Sequence, residues 1–349
     1  MEEEERVWSW GAGTEGQLGN CKPEDEVIPQ LILQPSLSPS NISSLACGAA
    51  HVIAITSSGK VLSWGRGSSG QLGHGEFVNN SLIPKPLPSL DAYFITNASA
   101  GWSHSAFISD TGCLFTCGDG SFGQLGHGDC TSRCSPAKVS FFDNRHVTKV
   151  ACGMRHSVVL LEDCSSNQVY CFGSGKRGQL GVSKDRIKSI NLPEVVSGFE
   201  DVEIVYIAAN GDHSAAISVD GNLYTWGRGF KGYEDANSPQ RLNSTLSFTK
   251  VALGWNHALT LTAEGEVYML GGNRLGVLSD HQSMNSEKQL HENGEIKTWG
   301  WGEHGQLGLG DTCDRTRPDT VNLRYDVNVE VSCVRVYCGS GFTFALTKP

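Results

Sequence analysis

A glycine-rich segment recurs along the whole chain, and its spacing constrains the fold more than any other feature. One copy, WGRGSSGQLGHG, begins at Trp64. Related segments begin at Trp10, Cys117, Phe172, Trp226, Leu270 and Trp299. The first four intervals between these starts are about 54 residues long, and the last two shorten to about 44 and 29. A period of this length means that one supersecondary unit is repeated along the chain.

A second signature, CGxxH, lies between the glycine-rich segments. Its copies end at His51, His104, His156, His213 and His257. In all but one unit the histidine stands about 13 residues before the next glycine-rich segment, which is the spacing of a hairpin. Short β-branched runs such as VTKVACG and HSVVLLE flank the signature, and capped helical patterns are absent. Each unit is therefore predicted to form about four short strands.

Seven such units predict an all-β fold, a seven-bladed β-propeller in which each blade buries its faces against its neighbours. Residues 1–349 are expected to form a single propeller domain. The chain ends in VYCGSGFTFALTKP, the inner half of a unit, and begins with RVWSWGAGTEGQLG, an outer half. We therefore expect the N- and C-terminal strands to pair in one blade and close the ring.

One unit departs from this pattern. Between Leu270 and Trp299, the segment HENGEIKTWG matches the second hairpin of a unit, but the preceding CGxxH strand pair has no counterpart. About two strands, or roughly 25 residues, are predicted to be missing near residues 271–290. Natural loop shortening and a splice or deletion product both explain the gap. We favour the second explanation, because the loss of two strands exposes strand edges and lowers stability.

Composition narrows the classes of partner. The 349 residues carry a formal net charge of −10, which disfavours direct contact with nucleic acid. No apolar run approaches the length of a membrane span, so no membrane partner is expected. The start MEEEER has the opposite charge to a signal or transit peptide. The predicted location is the cytoplasm, the nucleus or both.

Motifs that suggest chemistry are explained by the repeat. The GxGxxG pattern of dinucleotide-binding loops recurs here without a following helix, so it is interpreted as a turn. The repeated histidines are interpreted as structural hydrogen-bond partners to neighbouring strands. The 12 cysteines include no paired CxxC motif, and Cys47, Cys152 and Cys338 share one repeat position, so reduced, buried thiols are expected. We predict no catalytic residues, no metal site, no cofactor and no enzymatic activity.

The pairing of WGxGxxGQLGxG with CGxxHxxAL at this period resembles the regulator of chromosome condensation family over essentially the whole chain. The resemblance implies a seven-bladed propeller. Members of that family include the Ran guanine-nucleotide exchange factor, the plant UV-B photoreceptor and many interaction scaffolds. The resemblance also implies that the variable positions of CGxxH cluster on one face and bind a protein partner.

Six residues at or beside those variable positions are the candidate partner-binding residues: Trp102, Arg155, Asp212, His213, Trp255 and Asn256. Our leading hypothesis is a non-catalytic scaffold that binds a protein partner through this loop face. The alternative is nucleotide exchange on a small, Ran-like GTPase.

The segment AANGDHS, with Asp212 and His213, resembles an aspartate motif of the Ran exchange factor. No unit here is lengthened enough for the wedge-like insertion that the resemblance implies, and the given sequence starts with four glutamates where the resemblance implies a basic segment. UV-B sensing is a third hypothesis. It would require tryptophans in GWRH motifs on consecutive blades, whereas the GWSH and GWNH motifs here lie three units apart, at Trp102 and Trp255.

Overall fold

The computed structural model describes residues 6–33, 42–77, 79–162, 167–182, 187–229, 234–271, 295–323 and 333–348. The chain forms two compact units. The first comprises Met1–Gly67, Asn79–Pro86 and Gly272–Pro349, and the second comprises Ser68–Val78 and Leu87–Gly271. Each unit has its own apolar core, built around Trp64 and Phe344 in the first and around Phe172 and Trp226 in the second.

Strands dominate the described residues, with two short 3-10 turns at Pro88–Leu90 and Ser140–Phe142. In chain order the strands are β1 (Arg6–Gly11), β2 (Glu26–Leu31), β3 (Ile42–Cys47), β4 (His51–Thr56), β5 (Val61–Arg66), β6 (Asn80–Pro86), β7 (Ile95–Ala100), β8 (His104–Ser109), β9 (Leu114–Gly118), β10 (Arg133–Lys138), β11 (His146–Cys152), β12 (His156–Glu162), β13 (Gln168–Ser174), β14 (Ser189–Val195), β15 (Ile204–Asn210), β16 (His213–Ser218), β17 (Leu223–Gly227), β18 (Ala236–Arg241), β19 (Phe248–Leu253), β20 (His257–Thr262), β21 (Val267–Gly271), β22 (Lys297–Gly300), β23 (Arg315–Thr320), β24 (Cys333–Cys338) and β25 (Phe342–Lys348).

These strands form antiparallel sheets in which neighbours along the chain pair with each other. Blades 1 to 4 are the four-stranded sheets β3 to β6, β7 to β10, β11 to β14 and β15 to β18. In the described part of the chain, blade 5 has three strands, β19 to β21, and blade 6 has the order β2-β1-β25-β24. The predicted all-β propeller fold is confirmed.

The predicted number of seven blades is wrong, because the described residues form six. At the place of the seventh, β22 and β23 form only a two-stranded sheet among the described residues. They correspond to the third and fourth strands of a blade, and a hairpin alone cannot bury two sheet faces. The gap predicted near residues 271–290 falls on residues 272–294, which lie outside the described residues.

Blade 6 combines strands from both ends of the chain. β1 pairs with β25 in a regular antiparallel register from Arg6 opposite Thr347 to Gly11 opposite Phe342. Ala345 and Leu346 of β25 are buried there with Val7 of β1. The last strand thus lies between β1 and β24 in the interior of this sheet.

The glutamine of each GQLG segment organises its turn. Its side-chain Oε1 accepts a hydrogen bond from the backbone N–H two residues earlier, as Gln124 does from Phe122 at 2.9 Å. The same contact occurs at Gln17, Gln71, Gln179 and Gln306. The backbone carbonyl of this glutamine stays available to other strands, where tryptophan N–H groups and serine hydroxyls reach it. Trp226 Nε1 and Ser214 Oγ both donate to Gln179 O, at 2.9 and 3.0 Å.

The repeated histidines join neighbouring blades. His104 Nε2 lies 3.0 Å from Ser157 Oγ, and that hydroxyl donates to Gln124 O at 2.8 Å. Because the serine proton is used in this bond, the histidine nitrogen is the donor to the serine. The equivalent pair, His156 and Ser214, lies 2.9 Å apart. The structural interpretation is confirmed for His104 and His156.

The cysteines at the shared repeat position differ in exposure. Cys152 is buried, Cys47 is half-buried and Cys338 is exposed, and all three are free thiols. Burial raises the pKa of the Cys152 thiol to about 12, so it is protonated near neutral pH. The expectation of a reduced thiol holds at these positions, whereas the expected burial does not hold at Cys338.

Candidate functional site

The CGxxH turns of blades 2 to 5 lie side by side in the second unit. The Trp102 N–H donates to Gly153 O at 3.2 Å, and the Met154 N–H donates to Gly211 O at 2.9 Å. Asn210 Nδ2 adds a bond of 2.6 Å to Leu253 O, which links β15 to β19. These backbone contacts fix the order and spacing of the turns that carry the candidate residues.

Trp102 and Trp255 are in direct contact although three repeats separate them. Their ring centroids lie 5.8 Å apart, with the planes tilted by 52°. The side chains remain 37% and 43% exposed. The two turns between them carry Met154 and Gly211 at the equivalent position. The two indoles therefore form one aromatic patch.

Arg155 lies in the next turn and is exposed. Its guanidinium carbon sits 4.7 Å from the centroid of the Phe122 ring, a cation–π geometry. Phe122 belongs to the glycine-rich turn after β9 and was not singled out in the sequence analysis. The signal that could have identified it is an aromatic residue at a variable position of GxGxxGQLG, where the segments at Trp64 and Phe172 carry polar residues.

The other three candidates are less accessible. Asp212 is half-buried, and its carboxylate Oδ1 accepts a hydrogen bond from Gln179 Nε2 at 3.2 Å. His213 is only 3% exposed and lies beneath the turn, so its ring does not face solvent. Burial is the main cause that lowers its pKa to about 4, and the imidazole is neutral at pH 7. Asn256 is half-buried beside Trp255.

Two further observations concern ligands and membranes. In the described ranges, no group of three or more His, Cys, Asp or Glu side chains could hold a metal ion. No helix in the described part of the chain is long and apolar enough to cross a bilayer. The chemistry that the described turns do offer is an aromatic and cationic surface with a polar border.

Comparison with known proteins identifies relatives along most of the chain. The family model of the RCC1-like domain matches residues 1–234, and that of the regulator of chromosome condensation (RCC1) repeat matches residues 293–346. The chain is 31% identical to the ultraviolet-B receptor UVR8 of Arabidopsis thaliana over 342 residues, which cover 89% of this chain and 76% of the relative. It is 28% identical to the secretion-regulating guanine nucleotide exchange factor of Bos taurus over 395 residues, covering 98% and 83%.

Among solved structures, human WBSCR16 is similar in fold, with a TM-score of 0.82, 24% identity and coverage of 99% of each chain. Since the matching domain model spans more than half of the chain and UVR8 exceeds 30% identity over most of it, this chain belongs to the RCC1-like domain family.

Proposed function

We propose that this chain is a non-catalytic scaffold that binds a protein partner through the tryptophan surface, defined as Trp102, Trp255, Arg155 and Phe122. The observation that carries the proposal is the contact between two tryptophan rings that are each more than one-third exposed. Tryptophan and arginine are the residue types most enriched among those that dominate protein interfaces. Half-buried polar residues beside them, Asp212 and Asn256, supply a rim.

The arrangement also favours binding on entropic grounds. Each indole is held by the other, and Arg155 is held by Phe122 at 4.7 Å. Side chains that are ordered before a partner arrives lose less conformational entropy when it binds. The CGxxH turns beneath them are tied together by backbone hydrogen bonds, which limits loop rearrangement.

The proposal is tested by affinity capture followed by measurement of the dissociation constant for the captured partner. Trp102→Ala and Trp255→Ala are each expected to weaken binding at least about tenfold. Trp301→Ala is the matched control, because Trp301 is 38% exposed but belongs to the first unit. Equal loss in all three variants, or no loss in the first two, would overturn the proposal.

Nucleotide exchange on a small GTPase is the second candidate. It is supported by similarity to the bovine exchange factor along 98% of this chain, and by the carboxylate of Asp212 in the same row of turns. An exchange factor binds its GTPase most tightly without nucleotide, whereas a scaffold is indifferent to nucleotide. Capture of a panel of small GTPases, nucleotide-free and GTP-loaded, separates the two functions, and Asp212→Asn tests the carboxylate.

A further inference from the structure

Among the described residues, blade 5 has no strand beyond β21, whereas a fourth strand covers the third strand of every other blade. β21 is a third strand, and among the described residues it pairs with β20 alone. Its first residue, Val267, is 39% exposed, whereas the equivalent Val61, Leu114 and Val169 are 3%, 1% and 1% exposed. The difference arises because β6, β10 and β14 cover those residues as fourth strands.

The fourth strands share one sequence pattern, a proline followed three residues later by a branched aliphatic residue. The pairs are Pro29 and Ile32, Pro84 and Leu87, Pro136 and Val139, Pro193 and Val196, Pro239 and Leu242, and Pro318 and Val321.

The proline also has the same position relative to the third strand in every one of these sheets. It directly precedes the residue that pairs with a Ser, Thr or Cys of the third strand. In blade 3, for example, Glu194 after Pro193 pairs with Cys171. In each case the proline lies within a register shift of the fourth strand. Proline is tolerated at such an irregularity on an outermost strand because it has no N–H to donate.

The aliphatic residue makes a specific contact with the third strand. The Val196 N–H donates to Val169 O at 2.8 Å, and its side chain is 2% exposed. The same backbone bond joins Ile32 to Val7, Val139 to Leu114, Leu242 to Leu223 and Val321 to Ile296, at 2.8 to 2.9 Å. A fourth strand is therefore recognised through one carbonyl at the start of the third strand and one buried aliphatic side chain.

β21 offers the same acceptor. Val267 stands at the position of Val169, with Gly271 at the position of Gly173. Since the backbone groups of alternate residues in an antiparallel strand point to the same side, those of Val267, Met269 and Gly271 face the outer edge. Residues 272–294 follow this strand in sequence and contain no proline, so they lack the shared pattern.

We propose that the outer edge of β21 binds an extended segment of a partner protein as a fourth strand, and that this segment carries Pro-x-x-Val, Pro-x-x-Ile or Pro-x-x-Leu. The partner's aliphatic N–H donates to Val267 O, and its side chain covers Val267. Such strand addition combines backbone hydrogen bonds with a pocket for one side chain. This site is independent of the tryptophan surface.

The test uses a fluorescent synthetic peptide with the sequence SINLPEVV, a copy of Ser189–Val196, and the full chain. Fluorescence polarisation is expected to show saturable binding. The same peptide with a methyl group on the backbone nitrogen of Val196 is expected to bind at least about tenfold more weakly, because it loses the hydrogen bond and clashes with the strand. Equal affinity of the two peptides would overturn the proposal, and no protein variant has to fold for this comparison.

Hydrogen-exchange NMR locates the binding. The peptide is expected to protect the Met269 amide, which points outward, and to leave the Leu270 amide, which faces β20, unchanged. Protection at Met269 without peptide, in a chain that sediments as a dimer, would show instead that a second copy covers the edge and would also overturn the proposal.

Discussion

His156 of β12 and Ser214 of β16 are joined by a hydrogen bond of 2.9 Å that crosses from blade 3 to blade 4. The histidine is fully buried, and burial is the main cause that lowers its pKa to about 3. Burial likewise lowers the pKa values of His104 and His213 to about 4. The bonds between blades therefore rely on neutral imidazoles.

A steep loss of stability at acid pH follows from these pKa values. The unfolded chain takes up protons near pH 6.5, whereas the folded chain resists protonation until about pH 4 or below. The contribution of these neutral histidines to the free energy of unfolding is thus fully present above pH 6.5. It is lost as the pH falls, at about 1.4 kcal/mol per pH unit for each histidine. Urea unfolding measured between pH 7 and pH 4.5 is expected to show this slope.

In the variant His156→Gln, one proton fewer is expected to be taken up on unfolding. The slope of the unfolding free energy against pH therefore falls by the share of one histidine, whatever the effect of the substitution on absolute stability. His146→Gln is the matched control, because His146 is exposed at the start of β11. Identical slopes for the wild type and His156→Gln would contradict the statement that a buried, neutral His156 contributes to the pH dependence of stability.

The hydroxyl of Ser157 is predicted to stabilise the boundary between blades 2 and 3. Its removal in Ser157→Ala leaves the buried Gln124 O and His104 Nε2 without this partner. The expected cost is about 2–3 kcal/mol in the free energy of unfolding. Thr148→Ala is the control, because its bond of 3.3 Å to Leu160 O is only partly buried, and it should lose less than about 1 kcal/mol.

Gly118 is predicted to tolerate no side chain, for two separable reasons. Its φ is +108°, and a Cβ there would lie 2.4 Å from Ser103 O. Gly265 has a φ of +84° with open space around it. Gly265→Ala should cost about 1 kcal/mol from backbone strain alone, and Gly118→Ala at least about 3 kcal/mol. Denaturant unfolding of both variants measures the difference, and equal costs would mean that the close approach is relieved.

The contact between Trp102 and Trp255 is predicted to be energetically coupled. A double-mutant cycle with Trp102→Ala, Trp255→Ala and the double variant should give an interaction of about 0.5–1.5 kcal/mol in thermal unfolding. Additive effects within about 0.3 kcal/mol would show that the rings do not stabilise each other.

The β22–β23 hairpin is predicted to open more readily than a hairpin inside a complete blade. Backbone amides of Lys297–Gly300 should exchange with solvent faster than those of Leu114–Gly118, which β8 and β10 flank on both sides. Hydrogen exchange followed by mass spectrometry compares the two segments in one experiment. Comparable protection would mean that other residues cover β22.

Much of the fold could be predicted because its determinants are local and periodic. The glycine at the end of each third strand needs a positive φ wherever it occurs, and each GQLG glutamine caps its own turn. The number of blades could not be predicted by counting glycine-rich segments. A segment such as the one at Trp299 marks a third strand, but it does not supply the two inner strands that complete a blade.

The candidate site was predictable only in part. Trp102, Arg155 and Trp255 were identified from their places in the repeat, and His213 shares that signature but is buried. The aromatic partner of Arg155, Phe122, lies in a different motif, so no spacing within the CGxxH signature pointed to it.

The sequence by itself determined the repeated four-stranded unit and the residues that join one blade to the next, because those residues recur at constant intervals and act through short-range geometry. The tertiary structure alone decided that the described residues form six blades, that Trp102 meets Trp255, and that β21 has no fourth strand beside it in those residues. These features depend on how turns and strands far apart in the chain pack together, and a periodic pattern carries no information about contacts between positions several repeats apart.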